Sequence, residues 1–256
     1  MPAVMAKTHN LATSFIMFRH FVSQVSLCSV HNSKFLIINS LIPAPLIPCP
    51  LCTGTSTRDY TQVKERRYQI CDTCALVFVP QEYHLSASDE KAEYDHHEND
   101  SKDAGYRRFL SRVSVPLLAR LKPGSSGLDF GCGPGPTLSL ILEEAGHSLA
   151  LYDKFYATDA TVLTKTYDFI SATEVVEHLA APGETLQQLW DMLARGGTLA
   201  LMTKLVINKD RFQNWHYKDD PTHIAFFSTT TFTWLAVKRG AKLEFIENDV
   251  IFLTKP

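Results

Sequence analysis

The chain has 256 residues, 45% of them hydrophobic and 20% charged, and a formal net charge of −2. That length accommodates one full core plus a small appended module, in a composition ordinary for a globular protein. There is no global basic field of the kind that marks a nucleic-acid binder, and no uninterrupted apolar run approaches the ~20 residues of a membrane-spanning helix.

Residues 1–46 lack acids altogether; Asp59 is the first in the chain. The apolar stretch 11–42 is broken by Arg19, His20, Gln24, His31, Asn32 and Lys34. This composition predicts a poorly packed extension and also suits a transit-type leader, so the fold argument begins at residue 47. No secretion signal precedes it, and the expected setting is cytoplasmic, where thiols stay reduced.

Four cysteines, Cys49, Cys52, Cys71 and Cys74, form two C-x2-C pairs separated by eighteen residues. Each pair bends so that two thiolates face one ion, and two pairs complete a tetrahedral sulfur shell. The segment "RRYQICDTCALVFV" reads as one strand entering the second pair and another leaving it. Residues 47–80 are therefore predicted to be a small four-cysteine zinc ribbon. With all four positions filled by sulfur, the metal would be structural, supplying folding energy that so small a core lacks.

Residues 81–122 are polar, then amphipathic, with Tyr106, Phe109, Leu110, Val113, Leu117, Leu118 and Leu121 at helical spacing. They are expected to be helices capping one end of the body. His96 and His97 are either solvated or at the mouth of a site.

From residue 123 to 256, short apolar runs alternate with helical stretches. "SSGLDF", "HSLALYD", "YDFISA" and "TLALMTK" read as strands; Thr137–Gly146, "GETLQQLWDMLARGG" and "TTTFTWLAVKRG" read as helices. "AKLEFIEND" and "VIFLTK" read as a closing antiparallel hairpin. The expected fold is α/β, a Rossmann-like doubly wound and mostly parallel sheet. Ligands of such sheets lie beyond the carboxyl ends of the strands.

There the first strand runs into "DFGCGPG". Gly131, Gly133 and Gly135 remove side chains where the backbone bends sharply and approaches a ligand. Asp153, ending the next strand, is placed to accept the ribose hydroxyls of an adenosine-containing cofactor. The turn is not the G-x-G-x-x-G of pyrophosphate binders, and Asp129 in its approach favours a cationic ligand.

"LDFGCGPG", "YD", "YDFISATEVVEHL" and "LARGGTLALMT", in this order, resemble class I S-adenosylmethionine-dependent methyltransferases, and more narrowly the group containing relatives of ubiquinone-biosynthesis O-methyltransferases. The resemblance covers about residues 105–256. It implies that Asp129, Gly131, Gly133 and Gly135 surround the methionine part of the cofactor and Asp153 its ribose. One departure stands out. Tyr167 follows Asp153 by only fourteen residues, too few for the helix–strand–helix that such enzymes insert there. Asp159 is a candidate substitute for the acid that normally contacts adenine.

"TEVVEHL" follows the next strand, beside the expected methyl group. A helix starting near Glu174 would put Glu177 and His178 on its face. The triple resembles the E-x-x-E-H of metal-assisted methyltransferases, to which His223 of "DPTHIAFFS" would add a fourth donor. Two alternatives stand open: a divalent ion at Glu174, Glu177, His178 and His223, or His178 as a base without metal while Glu174 contacts cofactor. Trp215, His216, Tyr217 and Phe226 are expected to line the acceptor pocket, or in the case of Phe226 and Phe227 to be core.

The expected partner is a small-molecule acceptor, with hydroxyl methylation foremost. An RNA acceptor gripped by the ribbon and "KERRY", a sugar carbon, and a non-catalytic cofactor-fold scaffold are the competing readings. The sequence does not specify an oligomeric state.

Overall fold

Two sheets organise the described residues, 47–96 and 100–256 of this computed structural model. The expectations for residues 1–46 and for His97 lie outside them.

The larger sheet is built from β4 (Ser126–Phe130), β5 (Ser148–Tyr152), β6 (Tyr167–Thr173), β7 (Leu193–Met202), β9 (Lys242–Phe245) and β10 (Val250–Thr254). Their order is β5-β4-β6-β7-β10-β9. The first four run parallel, while β10 is antiparallel to both β7 and β9. Alternation along the strands divides the core in two. Leu199, Leu201, Ile251 and Leu253 face one layer, with α4 (Pro182–Met192) and α6 (Thr229–Arg239) packed on them. Ala200, Met202, Val250 and Phe252 face the other, under α2 (Ala104–Leu118) and α3 (Thr137–Glu144). This is the Rossmann-like α/β arrangement anticipated from the sequence, closing hairpin included.

Two local expectations change. The helix foreseen through Gly197 stops at Met192, because Leu193 already pairs with Tyr167 and Gly196 turns in the left-handed region (φ 76). Beyond β5, the segment after Asp153 makes a reverse turn closed by an Asp153–Ala157 bridge and then a 3-10 turn, Ala160–Thr164. No described strand flanks β5 on that side, as the short spacing implied.

The smaller sheet begins with β1 (Thr57–Val63), β2 (Arg66–Cys71) and β3 (Val77–Phe78), paired antiparallel. Its fourth strand is β8 (Ala225–Phe226), from the far end of the chain, with Val77 opposite Phe226 and Phe78 opposite Ala225. Phe212 of the short α5 (Lys209–Gln213) sets its ring edge-on against those of Tyr60 and Tyr68 in this sheet. The cysteine loops join the main core as well. Cys49, Leu51, Cys71, Cys74 and Leu76 belong to the same buried cluster as Ile170 and Leu186. A Cβ on Gly183 of α4 would stand 2.3 Å from the Leu51 carbonyl oxygen. Among the described residues no helix is long and apolar enough to cross a membrane.

Candidate active site

The glycine turn takes its shape from two backbone positions that side chains resist. Gly131 and Gly133 have φ of 73° and 64°, and a Cβ on Gly131 would lie 2.5 Å from Val175 Cγ2. Gly131→Ala is therefore expected to cost at least 1–2 kcal/mol of stability from backbone strain alone, roughly, and more from the clash. The check is denaturant unfolding beside Gly124→Ala, which has φ 72 but nothing within 4 Å of its Cβ. Equal losses would show that the Val175 contact is immaterial.

Asp153 ties the turn to the next strand. Its Oδ2 accepts the Gly133 N–H at 3.1 Å, and its Oδ1 accepts the N–H groups of Phe155 and Tyr156 at 2.8 and 3.1 Å. Asp129 sits beneath the turn, nearly fully buried, with Oδ1 and Oδ2 accepting the hydroxyls of Ser171 (2.8 Å) and Ser139 (2.9 Å). Burial pushes its carboxyl up to about 6, although those two hydrogen bonds pull the other way.

A cavity of about 420 Å³ opens above, the size of a small-ligand site. Asp129, Gly131, Gly133, Gly135 and Asp153 line it, and so do Glu174, His178 and His223. Tyr94, at the end of α1 (Ala87–Tyr94), lines it too, its ring 5.3 Å from that of His178. Lys154 Nζ holds α1 through both oxygens of Glu90, each at 2.7 Å.

After β6 the expected helix does not start at Glu174. That residue is left-handed (φ 52), and only a 3-10 turn, Val176–His178, follows. Glu177 accordingly points inward. It is fully buried, its Oε1 accepts the Tyr217 hydroxyl, and its Oε2 has no hydrogen-bond partner among the described residues. Glu174 receives the same hydroxyl at 3.3 Å, and its Oε1 is likewise unpartnered among them. Burial raises both carboxyls well above the usual carboxylate range, and for Glu177 the nearby Glu174 adds to the rise.

The two histidines share one tautomer. His178 Nδ1 lies 3.3 Å from the Thr222 carbonyl oxygen, and His223 Nδ1 lies 2.6 Å from that of Tyr217. Carbonyl oxygens only accept, so each Nδ1 carries the proton and each Nε2 keeps its lone pair. Burial, then the neighbouring His223, hold His178 down at about 3. Donor atoms of Glu177, His178 and His223 lie within 4.8 Å of one another. These three fit a divalent ion; Glu174 stands outside the group.

The cysteine sulfurs form the other such cluster among the described residues. Cys49 and Cys74 Sγ are 3.5 Å apart, Cys52 and Cys71 Sγ 3.4 Å, and all four lie within 4.8 Å. The two loops have matching geometry. Thr53 and Ala75, each following a second cysteine, are left-handed (φ 60 and 57) and donate to Cys49 O and Cys71 O at 2.9 Å. Such paired turns aim four thiolates at one point and suit zinc.

Other expectations are corrected. Asp159 is exposed, caps the 3-10 turn through Thr161 and is not among the residues that line the cavity, whereas Tyr152, Phe155 and Tyr156 line it. Trp215, His216, Tyr217 and Phe226 do not line the cavity. Phe226 and Phe227 are core, His216 is exposed, and Tyr217 lies behind the carboxylates. From "KERRY", Arg66 turns inward and Tyr68 is buried. Missed by sequence reasoning were Asp220, at 3.7 Å from His223 Nε2, and Tyr217's hydroxyl role. The "DP" after "KD" was the only local hint of a loop there.

A parallel sheet ending in a glycine turn, an acid on the following strand and a cavity beside them suit a nucleotide-like cofactor, and the family match makes the chain a class I S-adenosylmethionine-dependent methyltransferase. The model of the methyltransferase domain family matches residues 94–244, more than half of the chain. The chain belongs to that family. No curated protein matches it. Among solved structures it is similar to a candidate methyltransferase of Bacillus halodurans (18% identity, 53% of this chain and 70% of that one, TM-score 0.41). It is similar also to the magnesium protoporphyrin IX methyltransferase of Synechocystis with bound S-adenosylhomocysteine (14%, 69% and 97%, 0.45). A third is an O-methyltransferase family protein of Burkholderia thailandensis (12%, 65% and 62%, 0.42).

Proposed function

We propose that the chain methylates a small-molecule hydroxyl, holding the cofactor at the glycine-turn end of the cavity and the acceptor at the His178–His223 end. The observation that carries this is a cavity lined by both sets of residues. S-adenosylmethionine, when bound, supplies an electrophilic methyl on a sulfonium. Asp153 keeps one acceptor site, on Oδ2, for a ribose hydroxyl, Asp129 faces the cationic methionine part, and Tyr94 and Phe109 exclude water. His178 Nε2, whose lone pair is free although burial holds its basicity low, would accept the proton released from the acceptor hydroxyl. Asp220 supports the charge that develops there.

A second reading is favoured by the paired tautomers. Both Nδ1–H groups are spent on carbonyls, the arrangement that metal-binding histidines adopt. Glu177, His178 and His223 would then hold a divalent ion that lowers the pKa of the acceptor hydroxyl. Metal analysis separates the two: one divalent ion per chain supports the first, two per chain support the other. Within the proposal, residues 47–80 form the zinc-bound head, 81–122 the cap and 123–256 the catalytic body. The narrower kinship to ubiquinone-type O-methyltransferases is supported by "TEVVEHL".

An RNA acceptor is disfavoured because Arg66 faces inward and Arg67 pairs with Asp59 at 3.3 Å, leaving Lys64 from that cluster. Incubation of protein and methyl-labelled cofactor with fractionated cell extract tests this. Label in the small-molecule fraction supports the proposal; label in RNA overturns it.

The Asp129 carboxyl gives the cofactor end a pH signature. A cationic ligand binds the ionised form, and the free group titrates near 6. Affinity for S-adenosylhomocysteine is expected to be level above about pH 7 and to fall up to roughly tenfold per unit below about pH 6. Asp129→Asn should flatten that slope in calorimetric titrations; a slope surviving the substitution assigns it to another group.

A further inference from the structure

Arg66 on β2 crosses from the cysteine module to the loop that carries His223. Its Nη1 donates to the carbonyls of Lys218 (3.2 Å) and Asp220 (3.1 Å), and its Nη2 to those of Pro221 (3.1 Å) and His223 (2.7 Å). The Tyr68 hydroxyl adds a contact to Lys218 O at 3.4 Å. Four carbonyls converge on one guanidinium only if residues 218–223 curl around it. Planar, five-donor arginine can bridge such an arc; the three donors of lysine cannot match it.

That arc sets the acceptor end. It presents Asp220 and His223 to the cavity, and its Thr222 carbonyl takes the His178 Nδ1–H. The Tyr217 carbonyl, just before it, takes the His223 Nδ1–H. Its far side is pinned too: Ile224 N–H donates to Glu177 O at 2.8 Å, and Val79 N–H of the cysteine module donates to Ile224 O at 2.9 Å. A half-buried cation held by backbone dipoles is a costly way to secure a loop whose only task is packing.

We infer that the cysteine module is the frame that positions the acceptor end, with Arg66 as the positioning residue that fixes loop 218–223 and thereby the shared tautomer of His178 and His223. This rests on the acceptor lying at that end. The module then acts neither as a lid nor as a nucleic-acid grip, and its integrity is a condition for methyl transfer.

The test compares full-length wild type, Arg66→Ala, Arg66→Lys and the control Arg67→Ala, using nitrogen-15 spectra of labelled histidine rings, zinc content and calorimetry with S-adenosylhomocysteine. In Arg66→Ala, zinc content should be unchanged and affinity for S-adenosylhomocysteine should stay within about threefold, because the glycine turn is untouched. The His178 and His223 ring signals should pass from a fixed Nδ1–H pattern to exchange-averaged ones. Arg66→Lys should be intermediate and Arg67→Ala indistinguishable from wild type. Unaltered histidine patterns in Arg66→Ala overturn the proposal. If that variant does not fold, an unaltered pattern in Arg66→Lys does so. Should the wild type itself fail to bind S-adenosylhomocysteine, the methyltransferase assignment of the site falls, while the histidine spectra still decide the role of Arg66.

Discussion

Asp153→Ala is expected to lower affinity for S-adenosylhomocysteine by about a hundredfold or more, because this carboxylate does two things at once. In the proposed site it offers an acceptor to a ribose hydroxyl, and it holds three backbone N–H groups that shape the turn and the segment after β5. Hydrogen bonds to a charged group contribute about 1.5–3 kcal/mol each, and every 1.4 kcal/mol is tenfold in binding. Losing one ribose contact alone thus costs one to two decades, roughly, and a relaxed Gly133 adds to it. Asp153→Asn, which keeps one carbonyl oxygen, should fall in between. Calorimetry reads the affinity and thermal unfolding reads the fold. An alanine variant that binds within threefold of wild type, roughly, would remove Asp153 from the cofactor site.

Cys74→Ser is expected to be the most damaging substitution for the fold. Cys74 is fully buried, its sulfur is 3.5 Å from that of Cys49, and it shares a core cluster with Leu186 and Ile170. A structural zinc contributes about 10 kcal/mol or more to a domain of its kind, comparable to the whole stability of a typical protein. Loss of one thiolate should abolish zinc retention. The damage should spread, because β3 pairs β8 and the Ile224 N–H reaches the Glu177 carbonyl. The expected result is less than about a tenth of wild-type zinc and a fall of more than about 10 °C in Tm. Lost hydrogen-exchange protection should extend to Ile224. A zinc-free variant with wild-type Tm would show that the cysteine core stands without metal.

The body's fold was legible because its signals are local and periodic. The alternation in "TLALMTK" divides its residues between two faces, and β7 divides its residues that way. The glycine turn, Asp129 and Asp153 were equally legible, since a left-handed bend and a strand-terminal acid leave short-range marks. Even the missing strand beyond β5 could be counted from the spacing of Asp153 and Tyr167.

The proposed acceptor end was legible only in part. Glu177, His178 and His223 were named from their order, and they do converge. Yet the helix expected to bring them together is a single 3-10 turn, and Glu174 falls outside the group. The aromatics of "NWHYKDD" were assigned to a pocket wall that they do not form, because their composition does not reveal which side of a loop faces the ligand.

By itself, then, the sequence determined the α/β class, the glycine turn and the two paired cysteine loops, since each depends on contacts between residues close along the chain or on fixed spacing. Only the tertiary structure decided that the cysteine module shares a sheet with the body, that Arg66 gathers four carbonyls of a loop more than a hundred residues away, and that Thr222 of this loop accepts from His178. Those are long-range hydrogen bonds to backbone atoms, and the identity of the residue that accepts them leaves no trace in its side chain.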